Sequence, residues 1–76
     1  MVISHSQGKL ILAQTELLCR LNGGVQLRAL MDDIRLLADA KLLIADAGAV
    51  SWTLILDDDE QLDAIAAFYG LEKDKR

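Results

Sequence analysis

Residues 42–60, LLIADAGAVSWTLILDDDE, limit the possible folds more than any other stretch. Two apolar runs flank a short connection, and the second run ends in four consecutive acids. Leu42–Asp46 and Val50–Leu56 read as two strands, the first a short apolar run and the second alternating with a period of two. Val50, Trp52, Leu54 and Leu56 fall on one face, and Ser51 and Thr53 fall on the other beside Ile55. The connection Asp46-Ala47-Gly48-Ala49 suits a tight hairpin in which Gly48 takes the positive φ. The stretch therefore predicts a β-hairpin.

On either side of it the spacing is helical. In KLILAQTELLCRLN, residues 9–22, Leu10, Ala13, Leu17 and Leu21 recur at helical intervals with Ile11 and Leu18 beside them. Thr15 can instead cap a shorter helix and leave KLILA as a strand. Asn22-Gly23-Gly24 then closes the helix, because Asn and Gly accept the left-handed conformation. Residues 25–43 place Leu27, Leu30, Met31, Ile34, Leu37 and Ala38 on one stripe. Arg28, Asp32, Arg35 and Asp39 lie on the other side, so each arginine has an aspartate one turn away, a pairing worth about 0.2–0.5 kcal/mol. After the hairpin, DEQLDAIAAFYGL repeats Leu62, Ile65, Ala66 and Tyr69 helically, and Gly70 stops the run. The predicted class is α+β: two antiparallel helices, the hairpin and a C-terminal helix (ααββα).

A chain of 76 residues makes one domain, residues 1–76, with 1–7 and 72–76 expected to fray at its ends. A domain of this size buries only about 60% of its unfolded surface and needs help to be stable. The single cysteine, Cys19, excludes an internal disulfide and points to a reducing compartment. With an apolar fraction of 53%, the remaining source of stability is association, and a homodimer or stable partner complex is expected. The formal charge is −4, and residues 1–71 hold five Lys and Arg against ten Asp and Glu. An acidic body of this kind disfavours nucleic acid and anionic membrane. The N-terminus MVISHSQGK has no basic segment followed by an apolar run, so a cytoplasmic location without membrane insertion is expected.

The acids Asp57-Asp58-Asp59-Glu60 could hold a divalent cation or act as an acid/base pair. Their position before a helix favours capping instead: Asp57 and Glu60 have capping-box spacing, and first-turn acids suit the helix dipole. A calcium loop needs alternating ligands and a central glycine, which this run lacks, so neither metal nor cofactor is expected. Cys19 sits among leucines as packing and His5 lies near the terminus, which gives no catalytic pair and no enzyme. Gly23-Gly24 lacks the strand and the Lys-Ser/Thr of a phosphate loop. Trp52 reads as a core anchor. Phe68 and Tyr69 are consecutive on the last helix, so one of them is expected at an oligomer seam. The expected function is a non-enzymatic protein-interaction module, such as a regulator, adaptor, inhibitor or antitoxin. It would present Asp57, Asp58, Asp59 and Asp63 to a basic target protein, with Phe68 or Tyr69 as the apolar anchor beside them.

From Gly24 onward, LRALMDDIRLLADAKLLIADAGAVSWTLILDD resembles the second half of a winged helix-turn-helix domain. In that family an amphipathic recognition helix runs into a two-stranded wing. The resemblance covers residues 24–57 and implies that Arg28 and Arg35 face the major groove. It supplies the alternative function, a DNA-binding transcriptional regulator using Arg20, Arg28, Arg35 and Lys41. Protein binding ranks ahead of it because the tip ADAGA carries Asp46 and no Lys or Arg to meet phosphates.

Overall fold

The computed structural model describes residues 1–74 and shows a mostly β fold in which two antiparallel meanders share one core with a single helix. The first sheet has the order β1-β2-β3-β4, formed by β1 (Val2–His5), β2 (Gly8–Leu12), β3 (Glu16–Leu21) and β4 (Val25–Leu30). The second has the order β7-β6-β5-β8, formed by β5 (Ile34–Leu37), β6 (Leu42–Asp46), β7 (Ser51–Ile55) and the two-residue β8 (Lys73–Asp74). All pairings are antiparallel except β5 with β8. The helix α1 spans Asp59–Tyr69.

The ααββα expectation is overturned, and with it the winged-helix resemblance. Residues 9–22 and 25–43 form strands β2 to β5 and the start of β6, not helices. KLILA falls largely within β2, but a second strand follows it in place of a helix. Asn22-Gly23-Gly24 turns the chain between β3 and β4, with Gly23 and Gly24 both at positive φ, rather than closing a helix. Met31–Asp33 makes a second 3-10 turn, which carries the chain from one sheet to the other. The predicted Arg–Asp pairs along a helix disappear with it. Arg28 and Arg35, which a recognition helix would carry together, lie on β4 and β5 in different sheets.

The reason is visible in the burial. Leu10, Leu12, Leu17, Cys19 and Ala29 point inward from the first sheet, and Ile34, Leu36, Leu43, Ala45 and Leu54 point inward from the second. Leu62, Ile65, Ala66 and Tyr69 of α1 complete the same cluster. Leucine and alanine favour helix only weakly, by tenths of a kcal/mol per residue, and burial of alternate residues between two sheets outweighs that preference. In the first sheet Ile3, Leu10, Cys19 and Leu27 align across the four strands in one inward row.

Strand edges are closed by side chains. Trp52 Nε1 donates to the Arg28 carbonyl of β4 (2.9 Å), Gln61 Nε2 donates to the Ser4 carbonyl of β1 (2.7 Å), and His5 Nε2 bonds the Ile55 carbonyl of β7 (2.9 Å). The Trp52 and His5 bonds tie β7 to both edge strands of the first sheet, and the Gln61 bond ties α1 to β1. They also give partners to backbone groups that an open edge would leave free to pair with another chain.

Candidate functional site

The densest polar cluster joins the β1–β2 turn to the start of α1. His5 is buried, its side chain 1% exposed, and Nδ1 accepts from the Gln7 N–H at 3.0 Å. That bond places the ring proton on Nε2, which donates to Ile55 O, so both nitrogens of the neutral ring are satisfied. Asp57 accepts from the Ser6 N–H and the Ser6 hydroxyl, each at 2.7 Å, and from Gln61 Nε2 at 3.2 Å. Gln61 Oε1 accepts from the Asp57 N–H at 2.8 Å, so this buried glutamine links β1, the loop after β7 and α1.

The Ser6 hydroxyl, together with the other Ser6 and Gln61 bonds, holds the Asp57 carboxyl below the usual carboxylate range. Ser6 donates to the carboxylate and not to the imidazole, so the trio does not form a hydroxyl–imidazole pair of the kind nucleophilic catalysis uses. The cluster is a structural junction. Sequence reasoning placed His5 in a frayed terminus and did not single out Ser6 or Gln61. No local pattern marks them, because their partners lie some fifty residues away.

The four acids expected on one binding face have different employments. Asp57 belongs to the junction. Asp58 is the N-cap of α1, its Oδ1 accepting from the Gln61 N–H at 3.0 Å, one residue later than the capping box predicted from Asp57. Asp63 pairs with Lys73 of β8. Asp59 is exposed in the first turn of the helix beside the exposed Glu60. Of the two aromatics, Tyr69 is buried and its hydroxyl lies 2.8 Å from Ala13 O and 2.9 Å from Glu16 O, bracing the β2–β3 turn. Phe68 is exposed and meets the Tyr69 ring edge to face. Trp52 is half-buried and held by its bond to β4.

The basic residues separate. Arg20 and Arg28 lie together on the outer face of the first sheet, and Arg28 approaches Glu16 at 3.6 Å. Arg35 lies on the outer face of the second sheet and reaches Asp74 at 3.0 Å. Lys41 occupies the β5–β6 turn at φ 54.

Each sheet thus has an outer face of its own. On the second, Ile55, Leu42 and Leu37 align in one row across β7, β6 and β5, and Thr53, Ile44 and Arg35 align in the next. Ile55 is 67% exposed, and Leu37, Leu42 and Ile44 are partly so. On the first, one row runs Val2, Ile11, Leu18, Arg28, and the next runs Ser4, Lys9, Arg20, Gln26.

Burial pushes the Cys19 thiol up to about 11, which keeps it protonated and unreactive at neutral pH. Among the described residues no group of three or more His, Cys, Asp or Glu is placed to hold a metal ion, and no helix is long and apolar enough to cross a membrane. No curated protein and no solved structure matches the chain. One family model does match, over residues 1–73, and its description is "Protein of unknown function (DUF3389)". The fold and surfaces described above are therefore those of a protein that belongs to the DUF3389 family.

Proposed function

We propose that this chain is a small non-enzymatic protein-interaction module that pairs with a second copy of itself through the outer face of its second sheet. One observation carries the reading. Four aliphatic side chains, Leu37, Leu42, Ile44 and Ile55, share that face, and the charges beside them, Arg35 and Asp74, neutralise each other. The remaining charge on the face, Asp46, stands opposite Ser51 at the hairpin end of β6, beyond the apolar side chains, and a two-fold arrangement centred on Leu37, Leu42 and Ile55 stacks apolar row on apolar row. The outer face of the first sheet would bring Lys9 and Arg20 against themselves and does not suit this pairing.

Strand spacing and rise give the three-stranded part of the second face a flat area of about 250 Å². A standard interface takes about 800 Å² of accessible surface per partner, so the dimer is weak and concentration-dependent. Sedimentation across a concentration series tests it: the mass should rise from monomer towards dimer. Ile55→Lys changes an exposed position and should hold the chain at monomer mass with its fold intact. A wild-type mass that stays monomeric at high micromolar concentration, or an Ile55→Lys variant that associates as well as wild type, removes the reading.

A further inference from the structure

The outer face of the first sheet carries an arrangement that the fold does not need. Lys9 stands directly opposite Arg20 in the β2–β3 register, and like charges at opposed positions destabilise a sheet. The ion pairs among the described residues are Arg28–Glu16, Arg35–Asp74 and Lys73–Asp63, none of which involves Lys9 or Arg20. Two cations are therefore held side by side without a carboxylate. Charge is divided along the chain in the same sense. Residues 1–30 hold three Lys and Arg against one Glu, while residues 31–76 hold five against eleven acids. The first sheet is a cationic face on an acidic protein.

Beside that cationic row lies an apolar one. Val2, 61% exposed, aligns with the half-buried Ile11 and Leu18, and Arg28 ends the row. Adjacent rows on one face are two residues apart along the strands, about 6.7 Å. An extended segment with apolar and acidic residues two positions apart on one face, or a helix with Leu and Glu one turn apart, presents groups at nearly the same interval. A free inorganic anion would use the cations but leave the aliphatic row uncovered. The acidic remainder of the chain opposes the long phosphate backbone of nucleic acid.

We propose that the outer face of the first sheet, with Lys9, Arg20 and Arg28 beside Val2, Ile11 and Leu18, docks an acidic amphipathic polypeptide segment of a partner protein. Carboxylates of the segment meet the cations and relieve the Lys9–Arg20 repulsion, and its apolar side chains cover the aliphatic row. This surface is separate from the one assigned to self-pairing, so either can fail without the other.

A fluorescently labelled helical peptide of Leu and Glu, with Leu along one face and Glu flanking it, provides the probe. The same peptide with Gln for Glu is the control, and anisotropy at low and moderate salt is the measurement. The expected result is binding of the Glu peptide that weakens with salt, and none of the Gln peptide. The Lys9→Gln/Arg20→Gln double variant should bind about tenfold more weakly or less, as loss of close charge pairs does at other interfaces. Its melting temperature should equal or exceed that of wild type, because removing the opposed cations removes repulsion. That readout separates a docking role from a structural one. Equal binding by the double variant overturns the proposal, as does equal binding of the Gln peptide or a double variant that melts well below wild type. Binding of duplex DNA or of phosphatidylserine vesicles in place of the Glu peptide also overturns it.

Discussion

Replacing Gly8 with alanine tests how tightly the first sheet is closed at the β1–β2 turn. Gly8 has φ +153, and its register partners are His5 on β1 and Leu21 on β3. A Cβ at this position would lie 2.1 Å from the Arg20 carbonyl oxygen, 2.8 Å from Leu21 Cα and 3.0 Å from the Arg20 carbonyl carbon. All three are backbone atoms of the neighbouring strand, so no side-chain rotation relieves the overlap, and β2 must separate from β3 at this end. The unfavourable φ costs about 1–3 kcal/mol for a residue with a side chain. Loss of two ladder hydrogen bonds adds about 1 kcal/mol each. The sum, about 3–5 kcal/mol, is a large part of the roughly 4–11 kcal/mol available to a chain of this size.

The comparison that isolates the overlap is Gly48→Ala. Gly48 also has positive φ, +84, but no atom lies within 4 Å of its ideal Cβ. That change should cost only about 1–2 kcal/mol, the penalty for a left-handed L-residue. Urea unfolding of both variants, with thermal melts alongside, measures the difference. Gly8→Ala should lower the melting temperature by about 12 °C or more. If Gly8→Ala proves no more costly than Gly48→Ala, the close approach of β2 to β3 is wrong as described.

Two further expectations concern the junction. Gln61→Leu leaves the Asp57 N–H and the Ser4 carbonyl without their side-chain partners and should cost about 2–4 kcal/mol in urea unfolding, whereas Asp58→Ala removes one cap bond for about 1 kcal/mol. The carboxyl of Asp57 is held lower in the folded state, so its contribution is fully present above the unfolded value near ~3.9 and is lost as pH falls through the folded one. Stability measured from about pH 5 downward should therefore fall less steeply in Asp57→Asn than in wild type; identical slopes would contradict the Ser6 and Gln61 bonds to this carboxylate.

The candidate surfaces were legible in the sequence only in pieces. Arg20 and Arg28 could be named as basic residues, yet their meeting with Lys9 depends on the β2–β3–β4 register, which no local spacing reveals. Ile55 stood out as the apolar residue among Ser51 and Thr53. Its alignment with Leu42 and Leu37 in one outward row required the whole second sheet. His5 carried no signal at all, because the carbonyl its Nε2 bonds, that of Ile55, lies fifty residues along the chain. The acid run was legible as the start of a helix, but Asp57 left it for Ser6, and the cap passed to Asp58.

What the sequence alone determined is local. The short apolar run Leu42–Asp46 and the alternating Ser51–Ile55 around Gly48 make a hairpin, and its Asp46 carboxylate accepts from the Gly48 N–H at 3.1 Å. The helical spacing after Asp58 ends at Gly70, where φ 66 lets the N–H reach Ala66 O. Each of these rests on bonds between residues a few positions apart. Residues 9–43 were decided only by the tertiary structure. Leu10, Ala13, Leu17 and Leu21 fit a helical stripe, but Leu10, Leu12, Leu17 and Cys19 fit alternating strands equally well. Helix propensity separates such alternatives by tenths of a kcal/mol, whereas burying each leucine contributes about 1.5–3 kcal/mol. The choice therefore belonged to the surfaces available to bury them, and those surfaces are the second sheet and α1.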